Sequence, residues 1–113
     1  VEPPEGDPFR GWGAKKDGHN VWFSIHGRNK LSVTLDLKSE EGKRRIRALC
    51  DRADVMVENF RPGYQERIGL SPESLRASNP RLVIARISGY GQAGPYRDKP
   101  AFGAIGEAMG GLR

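Results

Sequence analysis

Residues 53–70, ADVMVENFRPGYQERIGL, decide the fold. Val55, Met56 and Val57 are consecutive apolar residues, which predicts a short buried strand over Asp54–Glu58. Glu58, Asn59, Phe60 and Arg61 follow, and Pro62-Gly63 imposes a turn. Tyr64 to Ile68 then predicts one helical turn that ends at Gly69. Such a strand fixes position, and the loop after it presents an amide, a ring and a guanidinium. That combination suits ligand binding.

Working outward, the preceding segment carries a helical signature. Ser39 is an N-cap candidate, and Glu40 and Glu41 favour the positive end of a helix dipole. Ile46, Leu49, Cys50 and Ala53 recur at i, i+3, i+4, i+7 and predict one buried stripe. Before it, LSVTLDL over Leu31–Leu37 alternates cleanly and predicts a strand with one buried face, Asp36 lying on the polar side. Asn20–Ile25 reads as a short strand or a 3-10 turn, and Val1–Gly18, rich in Pro and Gly, as loop without regular pairing.

Downstream, Ser71 caps a short helix with Pro72 at its first position, and Asn79-Pro80 ends it. Arg81–Ile87 predicts a second buried strand, Ser88–Pro100 a glycine-rich loop and Ala101–Met109 a helix. Strands separated by helices indicate an α/β class with parallel pairing. Ligands of such sheets sit beyond the carboxyl ends of the strands, where the Asn59 loop and the Gly89 loop both lie.

Composition bounds the rest. The 113 residues are enough for one domain with a core. The opening VEPPEGDP reads as a loop already under way, and GGLR follows an apolar helical run. Both ends read as cuts, so residues 1–113 are expected to form part of a larger domain. Nineteen basic against fourteen acidic residues give a net charge of +5, which favours anionic partners. One cysteine, Cys50, excludes an internal disulfide and points to a reducing, cytoplasmic setting. No apolar run approaches the roughly 18 residues of a membrane span.

Several signals are weaker than they look. Gly89 to Gly94 matches G-x-G-x-x-G after a strand, but Pro95 extends the loop where the dinucleotide fingerprint needs a helix to open. A substrate-facing loop is the better reading. The basic face from Lys43 to Arg52 lacks interleaved aromatics, so a solvated helix face is preferred to a nucleic-acid surface. His19 and His26 have no ligand partners at metal-binding spacing, and no metal is expected. Cys50 sits on the apolar stripe and reads as a core thiol. Arg67 can turn back towards Asn59-Phe60-Arg61, or pair with Glu66 or Glu58. No catalytic residue can be assigned.

VEPPEGDPFR, LSVTLDLKSEEGK, ADVMVENFRPGYQERIGL, NPRLVIARISGYGQAGPY and PAFGAIGEAMGGL, in this order, resemble the family III CoA-transferases of the CaiB/BaiF type. That group includes formyl-CoA:oxalate CoA-transferase, carnitine CoA-transferases and α-methylacyl-CoA racemase. The resemblance implies a Rossmann-like parallel sheet belonging to the large domain, and an interlocked homodimer in the full-length protein. It implies transfer of CoA from an acyl-CoA donor to a carboxylate acceptor; the residues themselves give no expectation of a metal, nucleic-acid or membrane partner. The CoA contacts it carries over fall on Leu35, Asp36, Leu37, Lys38, Asn59, Phe60, Arg61 and Arg67, and a further region on Pro100–Gly103. In this reading Arg67 and Lys38 meet phosphates and Phe60 faces the adenine.

The family's aspartate nucleophile, which forms an anhydride and then a thioester, lies beyond Arg113, so 1–113 alone is expected to be inactive. Two departures bear on function. Phe102 and Gly103 stand where the racemase branch carries His and Asp, which disfavours a racemase. Pro3-Pro4 lacks an arginine that some members place there. The rivals are an α-methylacyl-CoA racemase-like enzyme and a non-catalytic CoA- or nucleotide-binding domain.

Overall fold

The computed structural model describes residues 1–112. They fall into two compact units that divide between Gly42 and Lys43, within one helix.

The first unit is built from turns. Asp7 caps a 3-10 turn over Pro8–Gly11 by accepting from the Phe9 amide at 2.7 Å. Strands β1 (Lys15–Lys16) and β2 (His19–Asn20) pair antiparallel across Asp17-Gly18. The pairing corrects the reading of 1–18 as unpaired loop. Asp17 and Gly18 both take positive φ, 50° and 80°, as a two-residue hairpin turn requires. The chain then forms helix α1 (Val21–His26), where a strand or 3-10 turn was expected. The reason is local: Asn20 accepts from the Phe23 amide at 2.6 Å and so caps a helix start. Phe9 packs edge-on to Trp12, Trp22 and His26.

The predicted strand over Leu31–Leu37 is not a strand. Among the described residues its only pairing is a single parallel bridge between Thr34 and Glu2. Leu31 is 96% exposed and only Leu35 is buried. Alternation makes a strand only where a partner chain runs alongside, and here the Glu2 N–H and C=O supply just two bonds, to Val33 and Leu35. The Glu2 carboxylate holds this bridge from outside. It binds Arg10 at 2.6 and 2.7 Å, accepts from the Asp7 amide and is met by the Ser32 hydroxyl. The Arg10 hydrogen bonds hold its pKa well below the usual carboxylate range.

Helix α2 (Glu40–Cys50) crosses from one unit to the other. Ser39 caps it as predicted, accepting from the Gly42 amide at 3.0 Å. Of the predicted stripe Ile46 and Cys50 are buried, whereas Leu49 is exposed.

In the second unit β3 (Val55–Glu58) and β4 (Val83–Arg86) pair in parallel, with Val55 opposite Val83 and Glu58 opposite Arg86. The crossover runs through α3 (Tyr64–Arg67) and α4 (Pro72–Ser78). The parallel pairing expected from the order of elements is therefore present in this sheet. The strands are less buried than predicted: Val55, Val57, Val83 and Ile87 are all exposed. One sheet face is bare, because the apolar helix residues cover only the other.

The core beneath the covered side comprises Ile46, Cys50, Leu70, Leu75 and Leu82. Asn79 ties it together, donating to the Cys50 and Ala53 carbonyls at 2.9 and 3.0 Å and so satisfying the open end of α2. Ser71 caps α4 through the Ser74 amide. The chain closes with α5 (Gly103–Met109), followed by Gly110-Gly111. No helix among the described residues is long and apolar enough to cross a membrane.

Candidate functional site

Because β3 and β4 are parallel and in register, the segments that follow them leave the same sheet edge. One is the Asn59–Arg67 turn and the other is the Ser88–Pro100 loop. The turn is fixed first by its own sequence. Gly63 adopts φ +81°, the left-handed conformation that reverses the chain after Pro62. The Tyr64 amide then donates to the Arg61 carbonyl at 3.0 Å.

The turn is fixed next by a charged network that sequence reading missed. Glu58, the last residue of β3, is buried and accepts from the Phe60 amide at 2.6 Å. Its other oxygen accepts from Arg86 Nε at 2.8 Å. The Arg86 guanidinium reaches on to both oxygens of Glu66, at 2.8 and 3.3 Å. One arginine on β4 therefore braces both ends of the Phe60–Glu66 turn. Its hydrogen bonds hold the Glu66 carboxyl below its ordinary pKa, and the same contacts raise that of Arg86.

This network takes up both carboxylates with which Arg67 could have paired. Glu58 and Glu66 belong to Arg86, and Arg67 forms no ion pair among the described residues. The Arg67 guanidinium instead lies 5.7 Å from the Tyr64 ring centroid, within cation–π range. Tyr64 in turn meets Phe60, their centroids 4.7 Å apart and their planes tilted by 36°. Phe60, Tyr64 and Arg67 thus make a short stack, with Phe60 38% exposed. Tyr64 was not singled out from sequence, although its i+4 spacing from Phe60 is the available signal. Asn59 and Arg61 are exposed beside the stack.

The loop from Ser88 to Pro100 is irregular, as predicted. Its ends are held together: a Cβ on Gly89 would stand 1.9 Å from the Ala101 Cβ, so only glycine fits. Tyr90 and Tyr96 meet edge-on at 5.7 Å within it. From this loop Arg97 reaches back, its Nη2 lying 3.8 Å from where a Gly63 Cβ would be.

The remaining predicted residues belong to the first unit. Leu35 is buried, Leu37 half-buried, and Asp36 and Lys38 are exposed. Asp36 is a turn former: its carboxylate accepts from the Lys38 amide at 2.9 Å, and its carbonyl accepts from the Ser39 amide and hydroxyl. Gly42 is buried against this turn, since a Cβ there would meet the Asp36 carbonyl oxygen at 1.9 Å. The turn leaves the Lys38 ammonium without an ion pair among the described residues. A separate hollow in this unit, bordered by Lys16, His19, Ser24 and Arg28, includes none of the predicted residues.

Two expectations concern groups away from this turn. Burial raises the pKa of Cys50, whose thiol contacts the Met56 sulfur at 3.8 Å, in keeping with a core thiol. Phe102 precedes α5 as its N-cap without a side-chain hydrogen bond, and the helix begins at Gly103.

Comparison with known proteins gives a consistent result. The family model described as "CoA-transferase family III" matches residues 1–113. The chain is 51% identical over its full length to succinyl-CoA–D-citramalate CoA-transferase of Chloroflexus aurantiacus, of which it covers 29%. It is 43% identical, over 98% of its length, to formyl-CoA:oxalate CoA-transferase of Streptomyces avermitilis, covering 27% of that protein. Among solved structures, a CAIB/BAIF family protein from Brucella suis superposes with a TM-score of 0.85 at 39% identity, over 98% of this chain and 31% of that one. The chain thus spans less than a third of the length of these relatives.

Proposed function

The chain belongs to CoA-transferase family III, and from that premise we propose that it supplies the CoA-binding part of an enzyme that moves CoA from an acyl-CoA donor to a carboxylate acceptor. The observation that carries this reading is the Phe60–Tyr64–Arg67 stack at the edge of a parallel sheet, with no carboxylate occupying Arg67. In this reading Arg67 binds a CoA phosphate with its planar fork. Phe60 faces the adenine from the outer end of the stack. Asn59 and Arg61 complete the turn, and in the first unit Leu35, Asp36, Leu37 and Lys38 are the further CoA contacts that the family resemblance implies.

The sheet is the beginning of a Rossmann-like large domain, completed by residues outside this sequence. The bare face of Val55, Val57 and Val83 is consistent with further layers. The full-length protein is a cytoplasmic homodimer in this proposal. Its aspartate nucleophile lies outside the sequence, so the residues here bind and orient the carrier and take no covalent part. The relatives named above act on succinyl-CoA with D-citramalate and on formyl-CoA with oxalate. A small carboxylic acid is accordingly the proposed acceptor. Phe102 has no proton to exchange, which favours transfer over racemisation.

Calorimetric titration of CoA into the full-length protein and its Arg67→Ala variant tests the reading. Loss of a charge-assisted pair of hydrogen bonds predicts a weakening of about 1.5–3 kcal/mol, or roughly 10- to 150-fold in Kd. Equal affinity in the two proteins would remove Arg67 from the site.

A further inference from the structure

Two guanidinium groups from distant parts of the chain converge over Gly63. A Cβ built on this glycine would meet Arg67 Nη1 at 3.7 Å and Arg97 Nη2 at 3.8 Å, and no other heavy atom within 4 Å beyond its chain neighbours. The space above Gly63 is therefore bounded by two cations, and the absence of a side chain there keeps it open. Arg67 comes from α3, and Arg97 from the loop after β4.

Two like charges that face one point repel, and an anion placed between them relieves that repulsion. Glu66 is near enough for its charge to act on Arg97, but among the described residues no carboxylate forms an ion pair with Arg67 or with Arg97 Nη2. Both oxygens of Glu66 are bound by Arg86. Asp98 meets Arg97 on the other nitrogen, Nε, at 3.3 Å, and that carboxylate is 81% exposed. An exposed pair of this kind contributes little, and Nη2 is the Arg97 nitrogen nearest the Gly63 position, at 3.8 Å from its ideal Cβ. The chemistry that fits between two guanidinium forks is a tetrahedral oxyanion with several acceptor oxygens.

We propose that Arg97 is a further phosphate-binding residue, which together with Arg67 holds one phosphate of the nucleotide end of CoA over Gly63. The inference rests on the CoA-binding reading above and adds a ligand that neither the motif spacing nor the family resemblance assigned. Its consequence is specific. The glycine-rich loop becomes part of the carrier site, so a bound phosphate joins that loop to α3.

The test uses the full-length protein, with CoA, 3′-dephospho-CoA and phosphate-free pantetheine as probes in calorimetric titrations. Arg97→Gln is expected to raise the Kd for CoA about tenfold, with Arg97→Lys in between, because lysine keeps the charge and loses the fork. Pantetheine affinity should not change. Arg67→Ala and Arg97→Gln should combine to less than the product of their separate effects, because they share one phosphate. If the Arg97→Gln penalty disappears with 3′-dephospho-CoA, the bound group is the 3′-phosphate; if it persists, the group is the diphosphate. Wild-type affinity for CoA in Arg97→Gln would overturn this inference alone. A wild-type protein that bound no CoA would overturn the functional reading and this inference with it.

Discussion

Replacing Arg86 by methionine removes the brace under the Asn59–Arg67 turn while keeping an unbranched chain of similar length. Two carboxylates lose their partner, and they respond differently. The Glu66 side chain is 42% exposed, so water takes over and the loss is at most about 1 kcal/mol. The Glu58 side chain is 2% exposed and keeps only the Phe60 amide as partner. An uncompensated charge at such a site costs about 3–5 kcal/mol. The expected result for Arg86→Met is therefore a large fall in the urea midpoint, with the slope unchanged.

The double variant Glu58→Leu/Arg86→Met removes the buried charge along with its partner. It should recover most of the loss, short of about 1–3 kcal/mol for the Phe60 amide left unpaired. Hydrogen exchange separates stability from the turn itself: the Phe60 amide should exchange fast in the double variant even though overall stability returns. The reasoning fails if Arg86→Met unfolds within 1 kcal/mol of wild type, or if the double variant is no more stable than the single.

Three further outcomes follow from the geometry. Gly42→Ala drives a methyl into the Asp36 carbonyl oxygen, 1.9 Å from the ideal Cβ, so it should cost at least about 1–3 kcal/mol and shift Leu35–Lys38. Thermal melts together with CoA titration would check it, and an unchanged melting temperature would contradict it. Asn79→Ala deprives the Cys50 and Ala53 carbonyls of their donor, with an expected loss of about 1–3 kcal/mol by urea unfolding; Asn79→Asp, which cannot donate, should do no better. The pH dependence follows from Glu66, whose folded pKa Arg86 lowers from 4.5. The stability it contributes is complete above that unfolded value and is lost as pH falls through the lowered folded value. Melting temperatures between pH 6 and pH 3 should therefore fall more steeply in wild type than in Arg86→Met, and parallel curves would refute the assignment.

Much of this was legible from residue order. The Pro-Gly turn, the Ser39 and Ser71 caps and the alternation of strand with helix led to β3, α2, α4 and β4, because each depends on contacts within a few residues. What could not be read depends on contacts across the fold. Glu58 and Arg86 stand opposite each other only once the strands are in register, and no local pattern separates a buried, paired glutamate from a solvated one. Leu31–Leu37 shows the converse: good alternation, but too little neighbouring chain to pair with. The Asp17-Gly18 hairpin carries a standard turn signal, but it lies in a Pro- and Gly-rich stretch whose flanking residues show no strand alternation. Arg67 was found from its spacing and the family resemblance, whereas Arg97 needed the fold, since thirty residues separate it from its neighbour.

The contact between Gly89 and Ala101 gathers the glycine-rich segment at a neck, like a drawstring. A segment closed this way can be exchanged as a cassette. Its two attachment points stay fixed whatever hangs from them, and doubling its length would cost only about 0.6 kcal/mol in closure entropy. Grafting the corresponding segment from a relative, with Gly89 and Ala101 retained, changes the tip while leaving β4 and α5 as they are. The neck thus marks where sequence can diversify without the sheet having to be rebuilt.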